Sequence, residues 1–182
     1  MIESEGLVLP PEAVGAAKEF LRVERPDEDG LIGALAGSAA ELCESFIGEA
    51  LLERGFTETI PASRAWRRLS RGPVRAITLV EALAADGAAL ALPVEAYAVD
   101  LDCGGGGWVR LSGPGAAGRI RVGFRAGLAS AWADLPEALR HGIVRLAAHF
   151  YTNRTAEGPR GTAEPPAAVA ALWRPYRRLR LR

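Results

Sequence analysis

His141 and His149 both lie in LRHGIVRLAAHFYTNR (139–154), and the chain of 182 residues has no other histidine. Imidazole nitrogens ligate metals and move protons near neutral pH, so their spacing decides what chemistry they could do. Eight residues of helix are about two turns, roughly 12 Å along the axis, too far for both rings to hold one metal ion. Arg145 stands between them, and its fixed positive charge opposes a cation. General acid–base work would need a carboxylate or nucleophile alongside, and no motif supplies one. At 100° per residue His141, Arg145, His149 and Thr152 share one side of a helix. The pair reads as the polar face of a packed helix.

The other reactive groups fare no better. Cys43 falls in a helical pattern, where a thiol acts as a small buried hydrophobe, and Cys103 opens a glycine run. Neither has a Cys or His at ligand spacing, so zinc is not expected. CGGGGW (103–108) lacks the Lys and Ser/Thr of a Walker loop and lies between strand signals, so it reads as a mobile hairpin loop. RPDEDG (25–30) resembles the start of a calcium loop but lacks the later bidentate glutamate. No nucleophile elbow, HExxH or CxxC occurs. The sequence predicts no enzyme, no metal and no cofactor.

Arginine remains. Arg174, Arg177, Arg178, Arg180 and Arg182 place five guanidinium groups in nine residues, interleaved with Trp173, Tyr176, Leu179 and Leu181. Such an end is a solvated basic tail, a phosphate-contacting arm, or a docking arm whose apolar residues anchor while its arginines meet an acidic partner. The apolar–basic alternation favours the docking arm. A second basic stripe, Arg119, Arg121 and Arg125, alternates with Ile120, Val122 and Phe124 in RIRVGFR, a strand with one buried face.

The elements that must carry these residues follow from periodicity. PPEAVGAAKEFLRV (10–23) is a proline-led helix with Val14, Ala17 and Leu21 on one face. Asp27 is a candidate cap for a second helix reaching about Gly48, with Leu31, Leu35, Ala39, Leu42 and Phe46 at helical spacing and many small residues around them. Strand signals occupy 58–128, including VRAITLVEAL (74–83) and an Asp-Gly hairpin turn at 85–88. A third helix follows, with Asp134 as candidate cap and Leu139, Ile143, Leu146, Ala147 and Phe150 as its apolar face. The fold class expected is α+β: mainly a helical bundle of three to four helices, with a small antiparallel β subdomain inserted between the second and third helices. The divisions are 1–57, 58–128, 129–156 and 157–182, the last a linker, short helix and arginine-rich tail.

The net charge is zero, yet residues 1–60 hold 13 acidic and 4 basic side chains and residues 61–182 hold 9 and 18. Either acidic helices and a basic sheet are separately solvated, or copies stack acidic face to basic face. No uninterrupted apolar run of 18 residues occurs, and the N-terminus carries acidic residues where a signal peptide carries basic ones. A soluble intracellular protein with no membrane partner is expected.

The order of segments resembles the small head–tail connector (adaptor) proteins of long-tailed phages, prophages and gene transfer agents, the gp6-like family. The similarity runs through PPEAVGAAKEFLRVERPDEDGLIGALAGSAAELCESFIGEAL, then GPVRAITLVEALAADGAALALPVEAYAVD and RIRVGFRAGLA. It continues in LPEALRHGIVRLAAHFYTNR, ending on Tyr151, Asn153 and Arg154, and in PPAAVAALWRPYR. The glycine- and alanine-rich sheet and the extra RLRLR depart from the family pattern. The resemblance implies a virion structural protein at the particle neck, assembled in the bacterial cytoplasm as a ring of identical subunits, expected to be dodecameric. That ring would dock on the portal protein, meet a stopper or other neck protein, and let DNA pass through its channel without sequence reading. It implies a portal-docking tail of Trp173, Arg174, Tyr176, Arg177, Arg178, Arg180 and Arg182. Arg119, Arg121, Arg125, His141, Arg145 and His149 are then candidates for the subunit interface or channel. The alternatives are a nucleic-acid-binding regulator using the arginine tail, or another neck protein such as a stopper or tail terminator.

Overall fold

The computed structural model describes residues 1–84, 86–113, 118–153 and 164–178. The fold is α+β, and the chain divides into two compact units. A helical unit comprises Leu7–Leu51 and Ala129–Arg182, and a sheet unit comprises Met1–Gly6 and Leu52–Leu128.

The helical unit is built on α1 (Pro11–Leu21), α2 (Asp29–Ile47), α3 (Glu137–Thr152) and α4 (Ala167–Trp173). Pro11 opens α1, where its missing N–H has no partner to lose. The expected cap of α2 is not Asp27. Pro26–Glu28 already form a 3-10 turn leading into the helix, so Asp27 lies inside helical backbone and instead pairs with Arg25 at 3.0 Å. Glu28 accepts a 2.5 Å hydrogen bond from Tyr151 Oη on α3, and Lys18 of α1 pairs with Asp29. Asp134 likewise ends a 3-10 turn and accepts from Ser130 Oγ at 3.3 Å, while Pro136 holds the cap position of α3.

The buried stripe of α2 is rotated by one residue from the one its leucines suggest. Ile32, Ala36, Ala39, Ala40, Cys43 and Ile47 are buried, whereas Leu31 is 44% exposed and Leu35, Leu42 and Phe46 are half-buried. Small side chains allow helix axes to approach most closely, so the alanine–cysteine side takes the contact and the leucines flank it. Burial pushes the Cys43 thiol well above its ordinary range. By length and composition Pro26–Ile47 could cross a bilayer, but an apolar helix equally suits a core, and here α3 and α4 pack on it.

Helix α3 buries Leu139, Ile143, Leu146 and Ala147 as its pattern predicts, and also Gly142, Val144 and Ala148, because α1, α2 and α4 all pack against it. Phe150 is only half-buried. Gly142 is the closest approach: a Cβ there would lie 2.1 Å from Nε1 of Trp173, an α4 residue with no exposed surface.

The sheet unit contains a five-stranded sheet in the order β1-β2-β8-β4-β5 and a three-stranded sheet in the order β3-β7-β6, antiparallel throughout. The strands are β1 (Ile2–Ser4), β2 (Arg54–Pro61), β3 (Arg67–Arg68), β4 (Val74–Leu83), β5 (Ala89–Ala91), β6 (Tyr97–Leu101), β7 (Gly107–Leu111) and β8 (Arg119–Ala126). β8 sits between β2 and β4 and shows the alternation its sequence predicts, with Ile120, Val122 and Phe124 buried. Register places Phe56 opposite Phe124 and Ile60 opposite Ile120, so β2 buries the same face. Between them Glu58 is buried, and its Oε2 accepts from the backbone N–H of Ser70 at 2.8 Å. The Asp-Gly turn joins β4 to β5 with Gly87 at φ 88°; Ala85 lies outside the described residues.

The division of the chain differs from the one composition suggests. Strand β1 and the first residues of β2 lie within 1–57, so the N-terminal segment is not wholly helical. In the helical unit the N–H of Ala129 bonds Leu51 O at 3.1 Å. In the sheet unit Gly127 passes so near Glu53 that a Cβ would meet its backbone nitrogen at 2.3 Å. Sorted by unit, the charge asymmetry vanishes: the sheet unit has nine acidic and ten basic residues, the helical unit thirteen and twelve.

Gly142→Ala is expected to destabilise the helical unit by about 1–3 kcal/mol, since neither the helix nor the indole can yield cheaply. Gly37→Ala in α2, where a Cβ meets nothing within 4 Å, is expected to stabilise by about 0.5–1 kcal/mol. Chemical denaturation of the two variants against the parent reads both signs.

Candidate interaction surfaces

The arginine-rich end does not leave the helical unit as a free arm. Trp173 is a core residue, packed on Gly142 and, at a ring-centroid distance of 5.9 Å, on Phe46. It therefore presents no surface for docking in this conformation, which corrects its assignment to the contact arm. Arg174–Tyr176 form a 3-10 turn continuing α4. Arg177 lays its guanidinium over Phe46 at 5.5 Å. The backbone N–H of Arg178 bonds Ile47 O at 2.9 Å, and its Nη1 reaches Glu49 Oε1 at 2.6 Å. Glu49 is buried, so this arginine compensates a carboxylate that has lost its water. Arg174 and Arg177 are exposed and Tyr176 is half-buried. Arg180 and Arg182, with Leu179, Leu181 and Arg154, lie outside the described residues.

The polar face of α3 is as its spacing implies. His141 and Arg145 are exposed, and His149 is half-buried. His141 stacks edge-on against Phe20 of α1 at 6.3 Å, beside an open groove of about 380 Å³ that Glu19, Trp132 and Glu137 also line. Asn153 Nδ2 lies 2.9 Å from His149 Nδ1 and also donates to His149 O. Among the described residues no three His, Cys, Asp or Glu side chains gather as a metal-binding group.

In the sheet unit the β8 stripe is partly neutralised. Arg125 Nε donates to Glu53 at 2.8 Å, which holds its guanidinium more firmly charged, and Arg121 lies 3.5 Å from Glu81, its register partner on β4. Arg119 is exposed. The glycine loop is organised rather than mobile. Asp102 Oδ1 accepts from Gly106 N–H at 2.7 Å and Oδ2 from Trp108 Nε1 at 2.9 Å, closing the β6–β7 turn. The Trp108 bond, then the Gly106 bond, holds the Asp102 carboxyl below its ordinary value. A further cluster went unmarked in the sequence: Arg64, Arg67, Arg68 and Arg71 in RAWRRLSR, joined by Arg110 from β7. The signal was four arginines in eight residues, hidden because no periodic strand surrounds them.

No protein-family model and no curated protein matches the sequence. Solved structures do match, over the whole chain. A chain from the neck of an empty GTA (gene transfer agent) particle computed with C6 symmetry superposes with a TM-score of 0.77 at 25% identity, covering 100% of this chain and 97% of that one. The fold is that of a gene transfer agent neck protein. Two further chains agree in fold with the same coverages at 24% identity. One is from the virion of a native gene transfer agent particle (TM-score 0.75), the other from the neck of a native GTA particle computed with C12 symmetry (TM-score 0.72). The matched fold thus includes both units.

Arg178→Met leaves Glu49 buried without its counter-ion and is expected to cost about 2–3 kcal/mol, less than a fully buried pair because Arg178 keeps some water contact. Arg174→Ala, on an exposed side chain, is expected to change stability by under about 0.5 kcal/mol; thermal or urea unfolding compares them. Asp102 is bound in its charged form, so its contribution to the loop is complete above the ordinary pKa of 3.8 and is lost as pH falls through the lower folded value. The Trp108 indole N–H resonance is expected to titrate below pH 3.8 by NMR and to lose that transition in Asp102→Asn.

Proposed function

We propose that this chain is a structural head-to-tail adaptor of a phage-like particle, with no chemistry of its own. It would form a ring of identical subunits that docks on the portal protein and joins capsid to tail, in the neck of a particle assembled in the bacterial cytoplasm. The observation that carries this reading is the full-length match to chains from particle necks computed with C6 and C12 symmetry. A cyclic assembly repeats one head-to-tail interface, so each copy must offer two different surfaces to its neighbours, and a two-unit chain has the surface to do so. DNA would pass through the channel of such a ring without sequence readout.

Within this reading the portal contact falls to the exposed part of the C-terminal segment, Arg174, Tyr176 and Arg177, followed by Arg180 and Arg182. Trp173 and Arg178 serve by fixing where that segment leaves the helical unit. His141, Arg145, Arg119 and Arg121 remain candidates for the subunit interface or channel wall.

Quantitative mass spectrometry on particles purified from the producing cell tests the proposal. A ratio of one copy per portal subunit, with crosslinks from residues 174–182 to the portal, is the expected result. Absence from intact particles overturns it, and presence with crosslinks only to tail proteins makes the chain a stopper or terminator instead.

A further inference from the structure

The sheet unit leaves a concentration of positive charge uncompensated, and it is not on β8. Arg64, Arg67 and Arg71 have no ion-pair or hydrogen-bond partner among the described residues. Arg110 and Arg68 lie over aromatic rings, Arg110 4.7 Å over Trp66 and Arg68 5.8 Å over Trp108, and Arg68 also feels the charge of Asp102. Register explains the pattern, since Arg68 on β3 pairs with Trp108 on β7 and Arg67 with Val109. Val109 and Leu111 are buried, so β7 turns Trp108 and Arg110 to the opposite, outer face. Two arginine-over-tryptophan rungs therefore cross that face, with Trp66 itself 41% exposed.

A guanidinium stacked on an aromatic face keeps its edge N–H donors free and loses less side-chain freedom when it binds. Its planar fork fits a phosphate or a carboxylate. Three acidic groups lie nearby, one of them Glu58, whose Oε2 accepts from the N–H of Ser70 beside Arg71. Asp100 sits opposite Trp108 on β6, and Asp102 binds Gly106 and Trp108 and offsets part of the charge of Arg68. By register only Arg68 and Arg110 share the outer face with Trp108, while Arg67 lies on the side of Val109 at the edge strand, and Arg64 and Arg71 flank it in the adjoining loops; the five arginines outnumber these carboxylates along the β3 edge.

The geometry points to the exposed β3 edge, with its flanking loops and the adjoining outer side of β7, as a non-specific binding surface for the phosphate backbone of duplex DNA. Regularly repeated anions suit arginines spread over two strands and their loops, and an exposed indole between them can lie against sugar or base. A second copy of this chain is a poor occupant, because its acidic turn is already engaged: Asp27 with Arg25, Asp29 with Lys18, and Glu28 with Tyr151. The inference does not depend on the adaptor reading. Particle composition tests that reading, whereas the free chain tests this one.

The experiment is a fluorescence-anisotropy titration of the full chain with a labelled 30-base-pair duplex of random sequence, from 50 to 200 mM NaCl. Binding is expected to weaken by about two orders of magnitude across that range, as four released counterions require. The variant Arg64→Ala/Arg67→Ala/Arg110→Ala should lower the salt slope by roughly 2–3 and weaken binding at 50 mM at least tenfold. The corresponding triple lysine variant should retain most of the affinity, because a phosphate accepts a point charge. Arg174→Ala/Arg177→Ala should bind as the parent does. Should the triple alanine variant lose its native near-UV circular dichroism, Arg64→Ala/Arg67→Ala, which touches neither rung, takes its place with a slope change of about 2. No binding at 50 mM NaCl overturns the proposal. So do an unchanged slope in the alanine variants, loss of binding in the tail variant alone, and tighter binding to a polyglutamate peptide than to the duplex.

Discussion

The helical unit depends on an indole lying against a glycine. Trp173 reaches the backbone of α3 only because Gly142 has no side chain, and the contact sets the position of α4. The following turn inherits that position. Arg178 arrives at the C-terminal end of α2, donates its backbone N–H to Ile47 O and meets the buried carboxylate of Glu49. A close packing contact, a backbone hydrogen bond and an ion pair thus fix six residues in succession. The exit point of the arginine-rich end is consequently a property of the core, and any partner that reads this end reads it from a fixed origin.

The sheet unit is organised around β8, whose two neighbours both bury the same face. Its alternation is strict enough that a one-residue slip would expose the core and bury arginines, so register is strongly specified. The charged outer positions of β8 find carboxylates on adjoining segments, Glu81 on β4 and Glu53 just before β2. The small β3-β7-β6 sheet has fewer carboxylates than arginines, with Asp100 on β6 and Asp102 beside Arg68. Arg68 and Arg110 lie over tryptophans, which hold them in place without cancelling their charge, and Arg64, Arg67 and Arg71 add to the positive potential along the β3 edge.

A repeated assembly needs surfaces that are rigid before they meet. The proposed adaptor role asks this of each unit, and each has its own fixed contact: the Ala129–Leu51 hydrogen bond within the helical unit and the Gly127–Glu53 approach within the sheet unit. The −9 and +9 halves of the linear sequence are not the acidic and basic bodies that a stacking model would use. The chain interleaves them, and each unit comes out within one charge of neutral.

Much of the fold was legible because periodicity is a local property. The faces of β8 and α3, the proline-led start of α1, the Asp-Gly hairpin and the separation of His141 from His149 all follow from spacing along one element. The order of segments was enough to suggest a neck protein. Contacts between elements were decided elsewhere. The α2 stripe turned towards its alanines because axis distance, not hydrophobicity, chose the contact side. Asp27 and Asp134 lost their capping positions to 3-10 turns that only neighbouring structure could fix. Trp173 moved from a docking arm to the core because nothing local reveals that a glycine thirty-one residues earlier leaves room for it. The arginine–tryptophan rungs needed β3 and β7 side by side, strands separated by some forty residues of chain. The sequence alone determined which residues alternate; the tertiary structure decided which of them meet, because packing distance and cross-strand register are set jointly by segments far apart in the chain.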